Sequence, residues 1–332
     1  MAYPTAMMLL LACALVTGAP CGCDGSQDQP LENPDDPAAM RTAIGAVETS
    51  LRNARIDEAR RIATRLAEVA PESGDAFELL GRVEIACGLA ATDPAQQMAS
   101  RIAAAKAYAR AVELSPPSAG LHNAAGVAAQ SAGDLTAAIV LFERAAKLDP
   151  ANPQHQLFAG LALLSAGRVD EARVGLSSAR ALDPKSPWPV SALSGLALST
   201  GDFQGALDLA REARRLDPRV DELRVPEAKA LRKLARHQEV LTLLLALPEQ
   251  ARLTEAIAWE ISAAQFSMGD KVASAKTWGR WSEVCGSAQS AVESAQKWDE
   301  AGDPIQAHSW RQVARQRGWS GSAHSSSEPT KK

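Results

Sequence analysis

Small and large apolar residues recur along the chain in steps of four and three. Ala138, Phe142 and Ala145 form one such set, and Ala172, Leu176 and Ala179 the next. On a helix of 3.6 residues per turn this spacing draws one stripe, so the pattern predicts helices and not strands. A glycine stands five residues before the first alanine, as Gly133, Gly167 and Gly201, ahead of Ala138, Ala172 and Ala206. Each set closes on a proline five residues after its last alanine (Ala145, Ala179, Ala213): Pro150 in KLDP, Pro184 in ALDP and Pro218 in RLDP. The period is 34 residues, and Pro116, in ELSP, lies one more period upstream of Pro150. Pro37 and Pro71 are also 34 apart, whereas Pro71 and Pro116 are 45 apart, which implies an 11-residue insertion.

Each offset has a physical cause. The mid-repeat glycine ends a helix, because a left-handed residue after the last turn costs least without a Cβ. Asp134, Asp202, Asp270 and Asp303 directly follow such glycines and are placed to cap the next helix. Small residues let the two helices of a pair approach closely, with a large residue filling the space beside them. The closing proline cannot continue a helix and sets the exit to the next unit.

At these residues the chain resembles the tetratricopeptide-repeat (TPR) family, whose unit is a 34-residue helix–turn–helix. The family's first-helix glycine falls here on Gly81, Gly126 and Gly160, and its large second-helix residue on Tyr108, Phe142 and Leu176. The resemblance implies an all-α fold, a right-handed superhelical solenoid of about eight units. These are 40–73, 74–118, 119–152, 153–186, 187–220, 221–254, 255–287 and 288–317. The second unit carries the insertion, Leu89 to Ala99, in its inter-helix turn. Val47 replaces the glycine of the first unit. Pro226 falls in the first helix of the sixth, Pro248 truncates its second, and Trp281 occupies a small-residue position in the seventh.

Composition agrees with a helical stack: 46% hydrophobic residues but only 4% aromatic, too few for a β-sandwich. The net charge of −4 argues against nucleic acid as a partner. Six of seven tryptophans follow residue 258, as Trp259, Trp278, Trp281, Trp298, Trp310 and Trp319. They read either as a bulky cap on the end of the stack or as an aromatic docking patch.

The flanks differ from the repeats. Ala6 to Ala19 form an uncharged apolar run, short for a membrane span and of signal-peptide length. Residues 1–23 are therefore expected to be a signal peptide, possible in a lipoprotein form with Cys23, or else Cys21, as the lipidated residue. Residues 24–39 are acidic and proline-rich and read as a flexible tether; residues 318–332 read as a disordered tail. The expected location is the bacterial cell envelope, with a membrane contact through the N-terminal lipid.

In the family the first helices line the concave face. Positions three and four apart there are Asn123, Val127 and Gln130; then Leu157, Leu161 and Leu164; then Trp188 and Leu198; then Lys229, Arg232 and Lys233. They suggest a strip with an apolar centre and a basic C-terminal end. It would take a peptide segment with apolar anchors followed by acidic residues, unless those leucines pack against adjacent helices. The Lys/Asn/Arg carboxylate clamp of some family members is not reproduced around Asn123.

Chemistry-bearing motifs are sparse. His122 and His155 fall one repeat apart, and no histidine pairs with a second His or Cys at metal-ligand spacing, so no metal site and no cofactor are expected. Ser294 to Lys297 spells SxxK without its companion motifs. Cys87 and Cys285 read as buried helical thiols. The expected function is non-enzymatic: a protein–protein interaction scaffold, or alternatively a soluble exported adaptor that recruits an enzyme or assembly complex.

Overall fold

The computed structural model describes residues 37–319, which fold into helices and turns with no strand among the described residues. Residues Met1–Pro184 and Lys185–Lys332 form two compact units, described separately. The predicted signal peptide, Cys21, Cys23, most of the tether and nearly all of the tail lie outside the described residues.

The first unit holds four consecutive helix pairs: α1 (Pro37–Arg52) with α2 (Ile56–Val69), α3 (Gly74–Ala90) with α4 (Pro94–Leu114), α5 (Ala119–Ser131) with α6 (Leu135–Leu148), and α7 (Pro153–Ser165) with α8 (Val169–Leu182). Within the unit each helix packs on its partner, and the second helix of a pair packs on the first helix of the next. The pairs close over glycine. A Cβ on Gly81 would sit 2.6 Å from the Tyr108 ring, on Gly126 2.7 Å from Phe142, and on Gly160 2.8 Å from Leu176. These distances are below van der Waals contact, so the large residue of the second helix occupies the space that a side chain would need.

The second unit begins with α9 (Pro187–Thr200) and α10 (Phe203–Leu216). A 3₁₀ turn over Asp221–Leu223 leads into α11 (Arg224–Lys233), followed by α12 (His237–Leu245) and the single turn α13 (Glu249–Arg252). Two pairs end it: α14 (Glu255–Ser267) with α15 (Lys271–Cys285), and α16 (Ala288–Glu300) with α17 (Pro304–Gln316). Pro226 lies in the first turn of α11, where no intrahelical N–H bond is lost, and Pro248 follows the end of the short α12. Serines here take the place of apolar contacts: Ser194 Oγ donates to the Ala206 carbonyl at 2.8 Å, and Ser262 bonds Ser274 at 2.8 Å.

The turns follow one scheme with two variants. Gly133, Gly167, Gly201, Gly269 and Gly302 all have φ between +77° and +88°. Asp134, Asp202, Asp270 and Asp303 each accept a bond from a backbone N–H of the next helix. Where arginine replaces the aspartate, at Arg55, Arg168 and Arg236, the cap bond is lost and the arginine pairs with the glutamate three residues on. In two of these turns the left-handed residue is Ala54 (φ +56°) or Ala235 (φ +58°) instead of glycine.

The insertion is not a loop. It lengthens α3 and α4 to 17 and 21 residues, against 13 and 14 in the next pair, with Asp93 capping α4 and Gln97 closing the turn onto the Ala91 carbonyl. Eleven residues add close to three turns in total, shared between two antiparallel helices, so the period resumes without loss of register.

Candidate partner-binding surface

The apolar residues expected to line an open strip are mostly core. Leu157 and Leu161 are 4% and 2% exposed, and Val127 is 3% exposed. Leu164 is half-buried; Trp188 packs with Val190, Ala213 and Leu223, and Leu198 with the cluster around Leu231 and Ile257. The exposed apolar centre is thus corrected. The physical reason lies in the helices themselves. After Gln156, α7 reads LFAGLALLS, apolar around its whole circumference, and such a helix is covered on all sides. The polar members on α5 are also withdrawn: Asn123 is buried, and its Oδ1 and the Oε1 of Gln130 have no hydrogen-bond partner.

The basic residues differ in exposure, with Arg232 half-buried at 21%. Lys229, Arg232 and Lys233 sit three and four residues apart on α11, hence on one face. Lys229 is half-buried and Lys233 is exposed, and neither has a carboxylate within ion-pair distance among the described residues. Lys233 Nζ lies 5.9 Å from the Phe203 ring centroid. Arg232 is held on two sides by α14. Its Nε donates to Glu260 Oε2 at 2.8 Å, and its guanidinium carbon stands 4.5 Å over the Trp259 ring. Glu260 is fully buried, and burial pushes its carboxyl above the ordinary range against the pull of Arg232, Lys229 and Lys233. Its other oxygen, Oε1, has no donor.

The tryptophans divide. Trp278, Trp281 and Trp298 are buried, with the first two rings 4.6 Å apart, as a cap requires. Trp259 is 43% exposed beside Arg232, and Phe266, two turns further along α14, is also exposed, with Lys271 and Lys297 near its ring. The sequence left Trp259 among the six late tryptophans, readable as cap or as docking patch. Nothing in the sequence separates it from the others: its exposure and its contact with Arg232 arise only where α11 packs on α14.

Other candidates resolve plainly. His122 Nδ1 contacts the Ser118 carbonyl at 2.8 Å, and His155 Nε2 lies 3.3 Å from Asn152, so each serves its own helix start. No group of three metal-ligating side chains occurs among the described residues. Ser294 is buried and donates to the Ser290 carbonyl, while Lys297 Nζ lies near the Phe266 and Trp278 rings. Cys87 is buried, but Cys285 is exposed: it ends α15, where Gly286 turns left-handed and leaves no following turn to cover it. Among the described residues no helix is long and apolar enough to cross a membrane.

Two tetratricopeptide-repeat family models match the chain, over residues 101–153 and 129–192. No curated protein matches it. Among solved structures it is similar to a tetratricopeptide repeat protein from Parabacteroides merdae, at 10% identity and a TM-score of 0.62, covering 83% of this chain and 98% of that one. YrrB, a TPR protein with an unusual peptide-binding site, is 16% identical at a TM-score of 0.48, covering 61% of this chain and 94% of its own. TTC0263 of Thermus thermophilus is 24% identical at 0.41, covering 57% and 98%. Residues 101–192 thus match tetratricopeptide repeats by sequence, and the helix pairs share the fold of solved tetratricopeptide-repeat proteins.

Proposed function

We propose that this chain is a non-enzymatic scaffold that binds a partner protein on the first helices of its second unit, and that it works in the bacterial cell envelope. Tetratricopeptide repeats in general mediate protein–protein interaction, which supports the first half. The observation that carries the choice of surface is the cluster of Lys229, Arg232 and Lys233 beside the exposed Trp259. The apolar run Ala6–Ala19 and the cysteines after it support export, with Cys23 or Cys21 as the lipid attachment point. Two experiments test this. A photoreactive residue at Lys233 should trap a partner in envelope fractions, and one at Val174 on the outer face of α8 should not; equal trapping at both, or none at either, refutes the surface. Mass spectrometry of the mature N-terminus should find a diacylglyceryl cysteine. A mature chain that starts at an unmodified small residue favours the soluble exported adaptor instead.

A further inference from the structure

Residues 37–319 carry as many acidic as basic side chains; the net −4 comes from Asp24, Asp28, Glu32, Asp35, Asp36 and Glu328 set against Lys331 and Lys332. A local excess of cations is therefore not a sample of a basic protein. On α11 three cations share one face, and the single carboxylate bonded among them, Glu260, lies fully beneath the surface. Burying a carboxylate with one oxygen unpartnered is costly, and Glu260 differs in this from the buried Glu84 and Glu227, whose two oxygens each accept from an arginine nitrogen.

What the arrangement achieves is orientation. Glu260 takes the Nε–H of Arg232, and Trp259 lies against the guanidinium plane. With Nε and one face fixed, the Nη atoms are held in place, and no acceptor for them is found among the described residues. A guanidinium with fixed plane and free Nη donors fits the two oxygens of a carboxylate. Lys229 and Lys233 flank it as point charges, and the exposed part of the Trp259 indole offers apolar contact beside them.

We infer that Arg232, held between Glu260 and Trp259 and flanked by Lys229 and Lys233, is a carboxylate-recognising subsite for an acidic segment of a partner protein, one that places an apolar side chain against Trp259. This rests on the scaffold reading above and adds the chemistry of the ligand. Glu260 is a positioning residue: it touches no ligand and acts through Arg232.

The test uses the full chain and a fluorescein-labelled peptide of twelve residues, Asp and Glu around one Leu. Its Asn/Gln analogue, a short polyphosphate and single-stranded DNA serve as competitors. The acidic peptide should bind and its amide analogue should not. The double variant K229Q/K233Q leaves the Arg232–Glu260 pair intact and removes no hydrogen bond or ion pair found among the described residues, so its helical circular dichroism should be unchanged. It should weaken binding about tenfold. Arg232→Lys, which keeps the charge and loses the fork, should weaken it at least as much. Glu260→Gln separates orientation from charge. Removing a negative charge strengthens binding if net charge alone matters, and weakens it if Glu260 aims Arg232. The proposal is overturned if the two peptides bind alike, if K229Q/K233Q binds as the parent does, if Glu260→Gln binds more tightly, or if polyphosphate or DNA outcompetes the peptide. Trapping of a partner at Lys233 that persists under any of these results would leave the scaffold reading standing and this one refuted.

Discussion

Gly160 shows how much a single position carries. A methyl group there would meet the Leu176 side chain at 2.8 Å and the Leu176 backbone nitrogen at 3.1 Å, so relief requires the two helices to separate. Gly160→Ala is expected to cost about 1–3 kcal/mol, read as a lower urea midpoint. The left-handed alanines act in the opposite sense. Ala235 at φ +58° carries strain of about 1–2 kcal/mol that glycine would relieve, less about 0.5–1 kcal/mol for the extra freedom of an unfolded glycine. Ala235→Gly should therefore raise stability by about 0.5–1 kcal/mol, and no gain in the midpoint would contradict the strain. His155 couples the fold to pH. Burial holds its imidazole below the ordinary 6.5, more strongly than Asp149 raises it. The unfolded chain then binds the proton more tightly, so this contribution is complete above about pH 6.5 and is lost as pH falls toward the folded value. A His155→Gln variant should lose less stability than the parent between pH 7.5 and 5.5; equal slopes would rule this out.

At the scale of elements, neighbouring helices are joined by apolar packing and by a few buried carboxylates. Glu227 on α11 accepts from Arg211 Nε at 3.0 Å and Arg214 Nε at 2.7 Å, both on α10. Glu84 on α3 does the same with a two-pronged bond from Arg60 on α2. In each case the arginine is a third or more exposed and the glutamate is not. Losing the glutamate thus leaves cations that water can reach, not a stranded buried charge. Glu227→Gln is expected to cost about 1–2 kcal/mol, short of the larger loss seen when a partner is left buried and unpaired. A loss well above this range, measured by urea unfolding, would mean that the glutamate supports more than the α10–α11 contact. The long α3–α4 pair belongs to this scale too. Its extra turns expose Leu89, Met98 and Ile102, an apolar end that its neighbours do not have.

Across the whole molecule, stability in a repeat array comes from nearest neighbours, and no pair can bury its apolar side alone. The pairs at the two ends of the described chain have a sequence neighbour on one side only, and α17 leaves Ile305 79% exposed. Amide hydrogen exchange should therefore be fastest in α1 and α17 and slowest in α5 to α7. Uniform protection along the chain would show a single cooperative block instead.

The 34-residue period by itself determined the all-helical fold, the glycine turns and their aspartate caps, because those depend on residues close together in sequence. The glycine-on-large-residue contacts of Gly126 with Phe142 and Gly160 with Leu176 were also legible, since each lies within one unit at a fixed offset. Which first-helix positions remain open was not. Leu157, Leu161 and Trp188 have the right periodicity for a surface, but helices from elsewhere in the chain cover one side of a stripe and leave another bare. The same holds for the insertion, read as a turn and found as helix, because eleven residues suit either until the partner helix is in place. Arg232, Trp259 and Glu260 come from two helices 27 or 28 residues apart, and only packing brings the guanidinium between the ring and the carboxylate.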